Sequence, residues 1–379
     1  MREATAAICA RYPLDYWSRM EREGTFPEQF RADIVRAGFA SIVIPERYGG
    51  GGGTLRQQAA AMEEVAAAGG GLNATASVHI PLLCVPALLA HGTEEQRERL
   101  LPAIARGDLF VTFGVTEPDA GTDTTRISTR ARRTDTGWVV DGRKVWNSGA
   151  LRGDLVLLLA RTSDPGEGRK GDGLTLLLAP LDGQTVQITP IDKIGRRAVA
   201  SCEVVFTDHP VPADAVVGTV GGGFYHLLAG LNAERLLLAA ESIGLGRWAL
   251  DAAGRYARER VVFDRPIGQN QAVAHPLAKA YLHLLAASEV ALRGLDGYDA
   301  GVTAGGLGTI ANGAKYLGTE AAWACTEAAM QTFGGYSFAA EYHIGRYWTE
   351  SRLGRLAPVN NEMVLNYVAE RALGLPRSY

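Results

Sequence analysis

The sequence of 379 residues has few of the residues that form disulfides or metal sites. Four cysteines are scattered along it without a CxxC pair, which indicates buried thiols of a reducing compartment rather than disulfides or a zinc centre; they are Cys9, Cys84, Cys202 and Cys325. The seven histidines show no HExxH or similar spacing. We therefore predict that the protein binds no metal.

The sequence also has no large excess of positive or negative charge and few long apolar runs. The formal net charge is −3, and a protein that binds nucleic acid needs a basic face, so we predict no nucleic-acid partner. No apolar run reaches the roughly 20 residues that span a bilayer. The first residues lack the basic cluster and apolar core of a secretory signal. We expect no membrane attachment and a cytoplasmic location.

Nucleotide-binding loops of the common kinds are not indicated either. The chain has no Walker A lysine motif, which would cradle phosphates. Two runs that begin at Gly244 and Gly306 mimic GxGxxA. Neither follows a predicted strand in a βαβ unit, and the phosphate-binding geometry requires that context. We predict that both runs are helical.

The first part of the chain is patterned as helices. Phe30–Ala40 repeats apolar residues at helical spacing, Leu55–Ala68 is rich in Ala and Glu, and Ile80–Leu89 is apolar. Thr93 is followed by acidic residues, as expected where a hydroxyl caps the start of a helix. We predict an N-terminal helical domain over residues 1–110.

After residue 110 the apolar residues alternate with a period of two, and in the last part of the chain they return to helical spacing. Short apolar runs separated by polar turns predict a small antiparallel β-domain over residues 111–215, with strands at Gly137–Trp146, Asp154–Ala160, Gly173–Ala179, Val186–Pro190 and Ser201–Phe206. Residues 216–379 predict a C-terminal four-helix bundle, with helices at Leu227–Arg260, Pro276–Leu295, Gly308–Thr332 and Asn361–Leu373.

Two stretches of the β-domain have a composition typical of a ligand site. Phe113–Asp123 reads FGVTEPDAGTD, a polar turn after an apolar run, and Lys144–Ala150 reads KVWNSGA at the end of a predicted strand. Thr116 and Ser148 offer small hydroxyls, and Trp146 offers a flat ring. A flat, hydrogen-bonding heterocycle could use both, although each stretch alone also fits a surface turn or a core tryptophan.

Together the two stretches resemble the TEPxAGSD and KxWITNG signatures of the acyl-CoA dehydrogenase flavoproteins. IPERYGG and HGTEEQRERLLPAIARGD resemble the N-terminal domain of that family, and the resemblance covers essentially the whole chain. It implies an α+β fold with an N-terminal helical domain, a middle antiparallel β-domain and a C-terminal four-helix bundle. It also implies FAD and the α,β-dehydrogenation of an acyl thioester, in which a carboxylate removes the α proton and the β carbon delivers hydride to flavin N5.

The resemblance extends to FAD-binding segments of the last domain. Arg258–Gln271 resembles RxxFGxPIxxxQ, with Asp264 where the family usually has Gly, and Gln331–Tyr336 resembles QxxGGxG. The family uses these segments on the FAD of a neighbouring subunit, which implies a homotetramer built as a dimer of dimers. The implied cofactor-binding residues are Phe113, Val115, Thr116, Gly121, Thr122, Trp146, Ser148, Arg260, Phe263, Gln271, Gln331, Gly334, Gly335 and Asn360.

The catalytic base is the main departure from the usual family pattern. Most members carry a Glu in a C-terminal EGT motif, and this chain has Pro358 there, which has neither a carboxylate nor an N–H. A minority branch, including isovaleryl-type enzymes, carries its base in a helix with a sequence like LERLVLA. Ala233–Ala239 reads AERLLLA, so the resemblance implies Glu234 as the base, with Arg235 and Thr122 near the substrate.

Other assignments remain open at the level of sequence. Glu241 lies seven residues after Glu234 on the same helix face, and Glu362 could serve if the loop shifts register. Glu234 could also be a solvated helix residue, the commonest state of a helical Glu. His79 lies in the helix that closes the acyl end of the pocket in related enzymes, and a lone His is more often structural, so no role is assigned to it.

These observations predict an FAD-dependent acyl-CoA dehydrogenase that acts on a short or branched acyl group and passes electrons to an electron-transferring flavoprotein. The thioester could instead be carried by an acyl carrier protein. A flavin oxidase or monooxygenase of the same fold is a second possibility, which fast reoxidation of the flavin by air would favour. A flavin-binding protein without dehydrogenation is a third, motivated by Pro358.

Overall fold

The computed structural model describes residues 1–164 and 166–378. Its α-helices are α1 Arg2–Cys9, α2 Leu14–Glu23, α3 Glu28–Arg36, α4 Leu55–Val65, α5 Gly71–His79, α6 Val85–His91, α7 Glu94–Arg106, α8 Gly223–Glu259, α9 Gln271–Asp299, α10 Ala304–Phe333, α11 Ile344–Leu356 and α12 Asn361–Leu373. Its strands are β1 Val111–Gly114, β2 Arg130–Arg133, β3 Gly137–Ser148, β4 Leu155–Arg161, β5 Leu174–Pro180, β6 Val186–Pro190, β7 Ser201–Pro212, β8 Val216–Val217, β9 Val261–Val262 and β10 Arg265–Pro266.

Local sequence explains where several of the N-terminal helices begin. Thr54 and Thr93 each form a capping box with the glutamine three residues later, so α4 and α7 start with their free N–H groups satisfied. The predicted helix Ile80–Leu89 is divided in two. Ile80–Cys84 is a 3₁₀ turn, and α6 begins after it, because prolines near the start of each segment cannot donate a backbone hydrogen bond.

One helical run is more apolar than the sequence analysis allowed. The run Leu55–His91 contains a window with a mean hydropathy of 1.6, long and apolar enough by composition to cross a membrane. The expectation that no such run exists is therefore wrong. However, 83% of that window is buried inside the protein, as in the core helix of a soluble protein.

The middle of the chain forms a sheet in the order β6-β7-β3-β2-β4-β5-β8, with β1 added beside β4. Most pairings are antiparallel, as predicted, but β1 and β2 both run parallel to β4. β3 and β7 are longer than predicted and pair along most of their length, with two bulges in the register. The sheet packs one face against α6 and α7 through Leu88, Leu101, Leu157 and Leu176.

The last part of the chain is helical, as predicted. The long helices α8, α9 and α10 share a core rich in alanine, with Leu236, Leu284 and Leu295 filling the wider gaps. Alanine at the contacts lets long helices approach closely. Both glycine runs that mimic a dinucleotide loop lie inside α8 and α10. Helix α11 was not predicted, because its polar residues mask its helical period.

Candidate active site

The two signature stretches are held together by a buried ion pair. Lys144 Nζ lies 2.8 Å from Glu117 Oε1 and donates to the Val115 carbonyl at 3.0 Å. The Glu117 carboxylate also accepts hydrogen bonds from the backbone of Ser128 and Thr129. Burial alone would raise the pKa of Glu117, but the ammonium and these donors outweigh it and lower that pKa to about 2. Burial lowers the pKa of Lys144 to about 8, so both groups are charged at neutral pH.

This pair brings the hydroxyl and the ring of the predicted flavin site to neighbouring positions. The Val145 N–H donates to the Thr116 carbonyl at 2.9 Å, so the turn lies beside the end of β3. Trp146 has a φ of 61° and its side chain is 58% exposed. A bulky residue rarely takes this left-handed conformation or leaves its ring uncovered. The indole is thus presented outward, next to the half-buried Thr116.

A polar network at the end of β3 was missed by the sequence analysis. Arg196 Nη2 donates to Ser148 Oγ at 2.5 Å, and Ser148 Oγ lies 3.3 Å from Ser201 Oγ. Lys193 Nζ donates to Ser201 Oγ at 2.9 Å, and burial lowers the pKa of Lys193 to about 7, helped by the Arg196 charge. The Arg196 guanidinium and the Lys193 amine therefore lie behind the predicted flavin hydroxyl. Their sequence, KIGRR, gave no sign that it folds back onto Ser148.

The two segments of the last domain that are predicted to contact FAD lie at one cleft. A surface cleft of about 510 Å³ contains both Arg260 and Gly335; it is lined by Tyr256, Arg260, Val262, Ile267, Thr332, Phe333, Gly335 and Tyr336. Gln331 and Gly334 are exposed at the end of α10, and Gln271 is exposed at the start of α9. Phe263, on the β9–β10 hairpin, is 91% exposed with a φ of 54°.

Two glycines of the predicted cofactor site leave their backbone open to a ligand. A Cβ added at Gly121 or at Gly335 would meet nothing within 4 Å, and neither residue has a positive φ. Neither packing within the chain nor backbone conformation requires glycine there, whereas close approach of a ligand would. Phe113 and Val115 are half-buried behind the turn and pack against the core of the sheet.

The predicted base lies in a cluster of charged side chains. His79, at the end of α5, places Nε2 2.8 Å from Glu234 Oε2 and Nδ1 2.6 Å from Glu241 Oε1, both on α8. Burial alone would lower the pKa of His79, but the two carboxylates outweigh it and raise that pKa well above 6.5. The side chain of Glu234 is 16% exposed. Glu234 is therefore a paired, largely buried carboxylate and not a solvated helix residue.

The alternative bases have less suitable surroundings. Glu241 is 5% exposed, and its second oxygen accepts from Thr75 Oγ1 at 3.2 Å, so both of its oxygens are engaged. Glu362 is exposed in the first turn of α12. Pro358 is exposed in the loop between α11 and α12. Of these carboxylates, Glu234 alone combines burial with an oxygen that bonds no described residue.

Thr122 and Arg235 are the predicted substrate residues. Asn360 Nδ2 donates to Thr122 Oγ1 at 3.1 Å, which joins the signature turn to the start of α12. Arg235 donates to Asn232 Oδ1 at 3.4 Å, and its Nε is buried without a hydrogen-bond partner in the described part of the chain. Burial lowers the pKa of the Arg235 guanidinium, which the charge of Glu234 partly offsets.

Comparison with known proteins places this geometry in one family. Residues 1–108, 112–209 and 221–373 match the acyl-CoA dehydrogenase N-terminal, middle and C-terminal domains. The chain is 37% identical to the acyl-CoA dehydrogenase fadE12 of Mycobacterium bovis over all of its length and 96% of that protein. It is 29% identical to the mitochondrial isovaleryl-CoA dehydrogenase of Solanum tuberosum over 96% of this chain and 87% of the relative.

A solved structure of a glutaryl-coenzyme A dehydrogenase with glutaryl-CoA has a TM-score of 0.92 and 25% identity, covering 100% of this chain and 95% of that one. The predicted fold and cofactor are thus confirmed, and the exposed ring of Trp146 and the open backbone at Gly121 and Gly335 fit FAD. The chain belongs to the acyl-CoA dehydrogenase family, the FAD-dependent oxidoreductases that act on CH–CH groups of acyl-CoA thioesters.

Proposed function

We propose that this chain dehydrogenates a short or branched acyl-CoA and that Glu234 is the base that takes the α proton. The observation that carries this proposal is the contact between Glu234 Oε2 and His79 Nε2 at 2.8 Å. A general base needs an enclosed position and an oxygen free to take the proton, and Glu234 is 16% exposed with one oxygen held by His79 and the other bonded to no described residue. An isovaleryl-CoA dehydrogenase among the relatives supports a branched substrate.

Arg235 and Thr122 are suited to hold the thioester. Pro358 has no N–H to donate to the thioester oxygen, so another donor must stabilise the negative charge that develops when the α proton leaves. Arg235 carries a buried Nε without a partner in the described chain, and a hydrogen bond to substrate would remove the cost of that unpaired donor. Thr122 is exposed on the turn beside Asn360. We assign substrate binding to Arg235 and Thr122.

The remaining site residues would hold FAD, which when bound accepts the β hydride at its N5. Thr116 and Ser148 would offer hydroxyls to the isoalloxazine and Trp146 a flat surface, and Phe113, Val115, Gly121 and Asn360 would complete that part of the site. Phe263 extends away from its own protomer, being 91% exposed, which supports contact with the FAD of a neighbouring subunit. The same role is proposed for Arg260, Gln271, Gln331, Gly334 and Gly335.

The assembly and partners follow from the same proposal. A site completed by a neighbouring subunit requires at least a dimer, and the exposed Phe263 and Phe338, 91% and 86% exposed, are surfaces that a subunit contact would cover. We propose a homotetramer arranged as a dimer of dimers, located in the cytoplasm. An electron-transferring flavoprotein is the proposed acceptor of the electrons.

The proposed reaction is tested by product analysis. Purified protein is incubated with an artificial electron acceptor and, separately, with butyryl-, isobutyryl-, isovaleryl- and long-chain acyl-CoA. The expected product is the enoyl-CoA that has lost one hydrogen from each of the α and β carbons, detected by mass. The same acyl groups on an acyl carrier protein form a parallel arm. If the carrier-protein esters are converted and no CoA ester is, the carrier in our proposal is wrong; if neither is converted, the proposed reaction is wrong.

Trp146→Ala tests the proposed flavin wall. The indole is 58% exposed in the protomer, so its removal leaves the core intact and takes away only the surface offered to the flavin. We expect FAD to be bound roughly tenfold more weakly, since an aromatic contact is worth about 0.5–1.5 kcal/mol beyond its buried area. FAD retention is measured by absorbance after dialysis. Leu373→Ala, at a residue 69% exposed, is the control and should retain FAD as the wild type does. Equal retention in both variants would contradict the assignment.

A further inference from the structure

His79 lies within hydrogen-bond distance of one oxygen from each of two glutamates, and it can donate to two ionised carboxylates at once only as an imidazolium. Its Nε2 lies 2.8 Å from Glu234 Oε2, and its Nδ1 lies 2.6 Å from Glu241 Oε1. Carboxylate oxygens are acceptors, and neutral imidazole carries a single N–H. Both contacts are therefore satisfied when His79 is an imidazolium between two carboxylates.

The two carboxylates are not equivalent. Glu241 is 5% exposed and also accepts from Thr75 Oγ1, so it is fixed on both sides. Glu234 lies two helical turns earlier, is 16% exposed, and bonds His79 through one oxygen, leaving its other oxygen without a hydrogen bond to a described residue. Glu241 is thus an anchor for the ring, and Glu234 keeps one oxygen available.

Other charged residues near His79, Glu234 and Glu241 do not take over the contact between His79 and Glu234. Arg196 faces Glu241 from the loop before β7, and Glu350 on α11 is the main carboxylate that acts on Arg196. Glu350 is itself bonded to Arg346 at 3.0 Å. Arg235, next to Glu234 on α8, also acts on that carboxylate through its charge, but it donates its hydrogen bond to Asn232 Oδ1. His79 is therefore the cation in hydrogen-bonding contact with Glu234, and the imidazolium and the two carboxylates together carry a net charge of −1.

We propose that His79 is a positioning residue that holds one oxygen of the Glu234 carboxylate and so directs its free oxygen at the substrate, with Glu241 anchoring the imidazolium. This inference rests on the proposed function. In the proton transfer the α C–H bond breaks and an O–H bond forms on Glu234, while His79 keeps both of its protons. The cluster passes from a net charge of −1 to zero, and the electron pair left on the α carbon enters the thioester enolate.

This arrangement makes the reaction depend on the ionisation of His79. Activity falls at high pH as His79 loses the Nε2 proton to solvent, because an unprotonated nitrogen then faces the Glu234 carboxylate and no longer holds it in place. The rate of flavin reduction by acyl-CoA should therefore show an alkaline limb that belongs to His79.

His79→Gln separates positioning from packing. Its amide can still donate to Glu234 but carries no charge and does not titrate. In the holoenzyme we expect the rate of flavin reduction at the optimum pH to fall and the alkaline limb to disappear. Glu241→Gln is the matched control, because it keeps an acceptor for Nδ1 and removes one negative charge. There the alkaline limb should move to lower pH.

A second measurement reports on the cluster without any acyl-CoA. The folded pKa of His79 is raised above its unfolded value near 6.5, so its stabilisation is fully present below pH 6.5 and is lost as pH rises through the folded pKa. The difference in melting temperature between wild type and His79→Gln should therefore be largest below pH 6.5 and shrink in alkaline buffer.

The two measurements give distinct outcomes. Loss of the alkaline limb in His79→Gln and its shift in Glu241→Gln, together with a pH-dependent melting difference, support the proposal. Lower rates with an unchanged alkaline limb and a pH-independent melting difference would show a purely structural histidine and overturn it. If no thioester reduces the flavin, the proposed function itself fails, and the melting series still shows whether His79 is coupled to the two carboxylates.

Discussion

Glu234→Gln is expected to lower the rate of flavin reduction by acyl-CoA about 10²- to 10⁴-fold, the usual contribution of a positioned general base. The amide retains the shape of the carboxylate and can still accept from His79 Nε2, so the fold and FAD binding should persist. The measurement is anaerobic stopped-flow absorbance of the oxidised flavin, with the melting temperature and the FAD content recorded for the same preparation.

Glu362→Gln is the matched control for this prediction. Glu362 is an exposed carboxylate at the start of α12 and is the remaining acid close to Pro358 in sequence. It should keep a near wild-type rate. Near-normal reduction by Glu234→Gln with a large loss in Glu362→Gln would show that the base lies at the C-terminal loop after all.

Lys144→Met is expected to lower the free energy of unfolding by about 3–5 kcal/mol. The substitution leaves the Glu117 carboxylate buried without its cation, which is the costly way to break an internal ion pair. The turn that carries Thr116 is tied to β3 through this pair, so FAD affinity should fall as well. Urea unfolding followed by tryptophan fluorescence, together with FAD retention, measures both effects.

A surface ion pair of the same sheet serves as the comparison. Arg132 lies 3.2 Å from Asp141 on the protein surface. Because exposed ion pairs contribute little, Arg132→Ala should lower the free energy of unfolding by about 1 kcal/mol or less. The pH dependence of stability gives a second check, since the Glu117 pKa is lowered from 4.5 to about 2. The stabilisation from the ionised Glu117 is present above pH 4.5 and is lost as pH falls toward 2. The difference in free energy of unfolding between wild type and Lys144→Met should therefore become smaller in acid. Equal costs for the two substitutions would contradict this role of Lys144.

The parts of the fold that were predictable are those with a local signal. α12 was predicted with its observed bounds because Asn361–Leu373 is periodic and follows a capping asparagine. β6 was also predicted with its observed bounds. The parallel pairing of β1 and β2 with β4 was not, because strand direction depends on the path of the chain between the strands and not on the composition of either one.

The residues of the candidate site also divide into those with a local sequence signal and those without one. Glu234 and Trp146 stand in short stretches that can be recognised in sequence. His79 and Arg196 are single residues, far along the chain from the groups they contact, and their role depends on packing of α5 and the β6–β7 loop. A buried histidine between two glutamates of another helix has no periodic signature, so only the structure could bring it to Glu234.

The most direct test of the account is an anaerobic titration of the purified yellow protein with short straight and branched acyl-CoA, following the absorbance of the oxidised flavin. We predict that at least one of these thioesters bleaches the flavin in the wild type, and that the same thioester bleaches Glu234→Gln far more slowly. Retained colour with every CoA and carrier-protein thioester would contradict the account, and would favour a flavin-binding protein without this dehydrogenation.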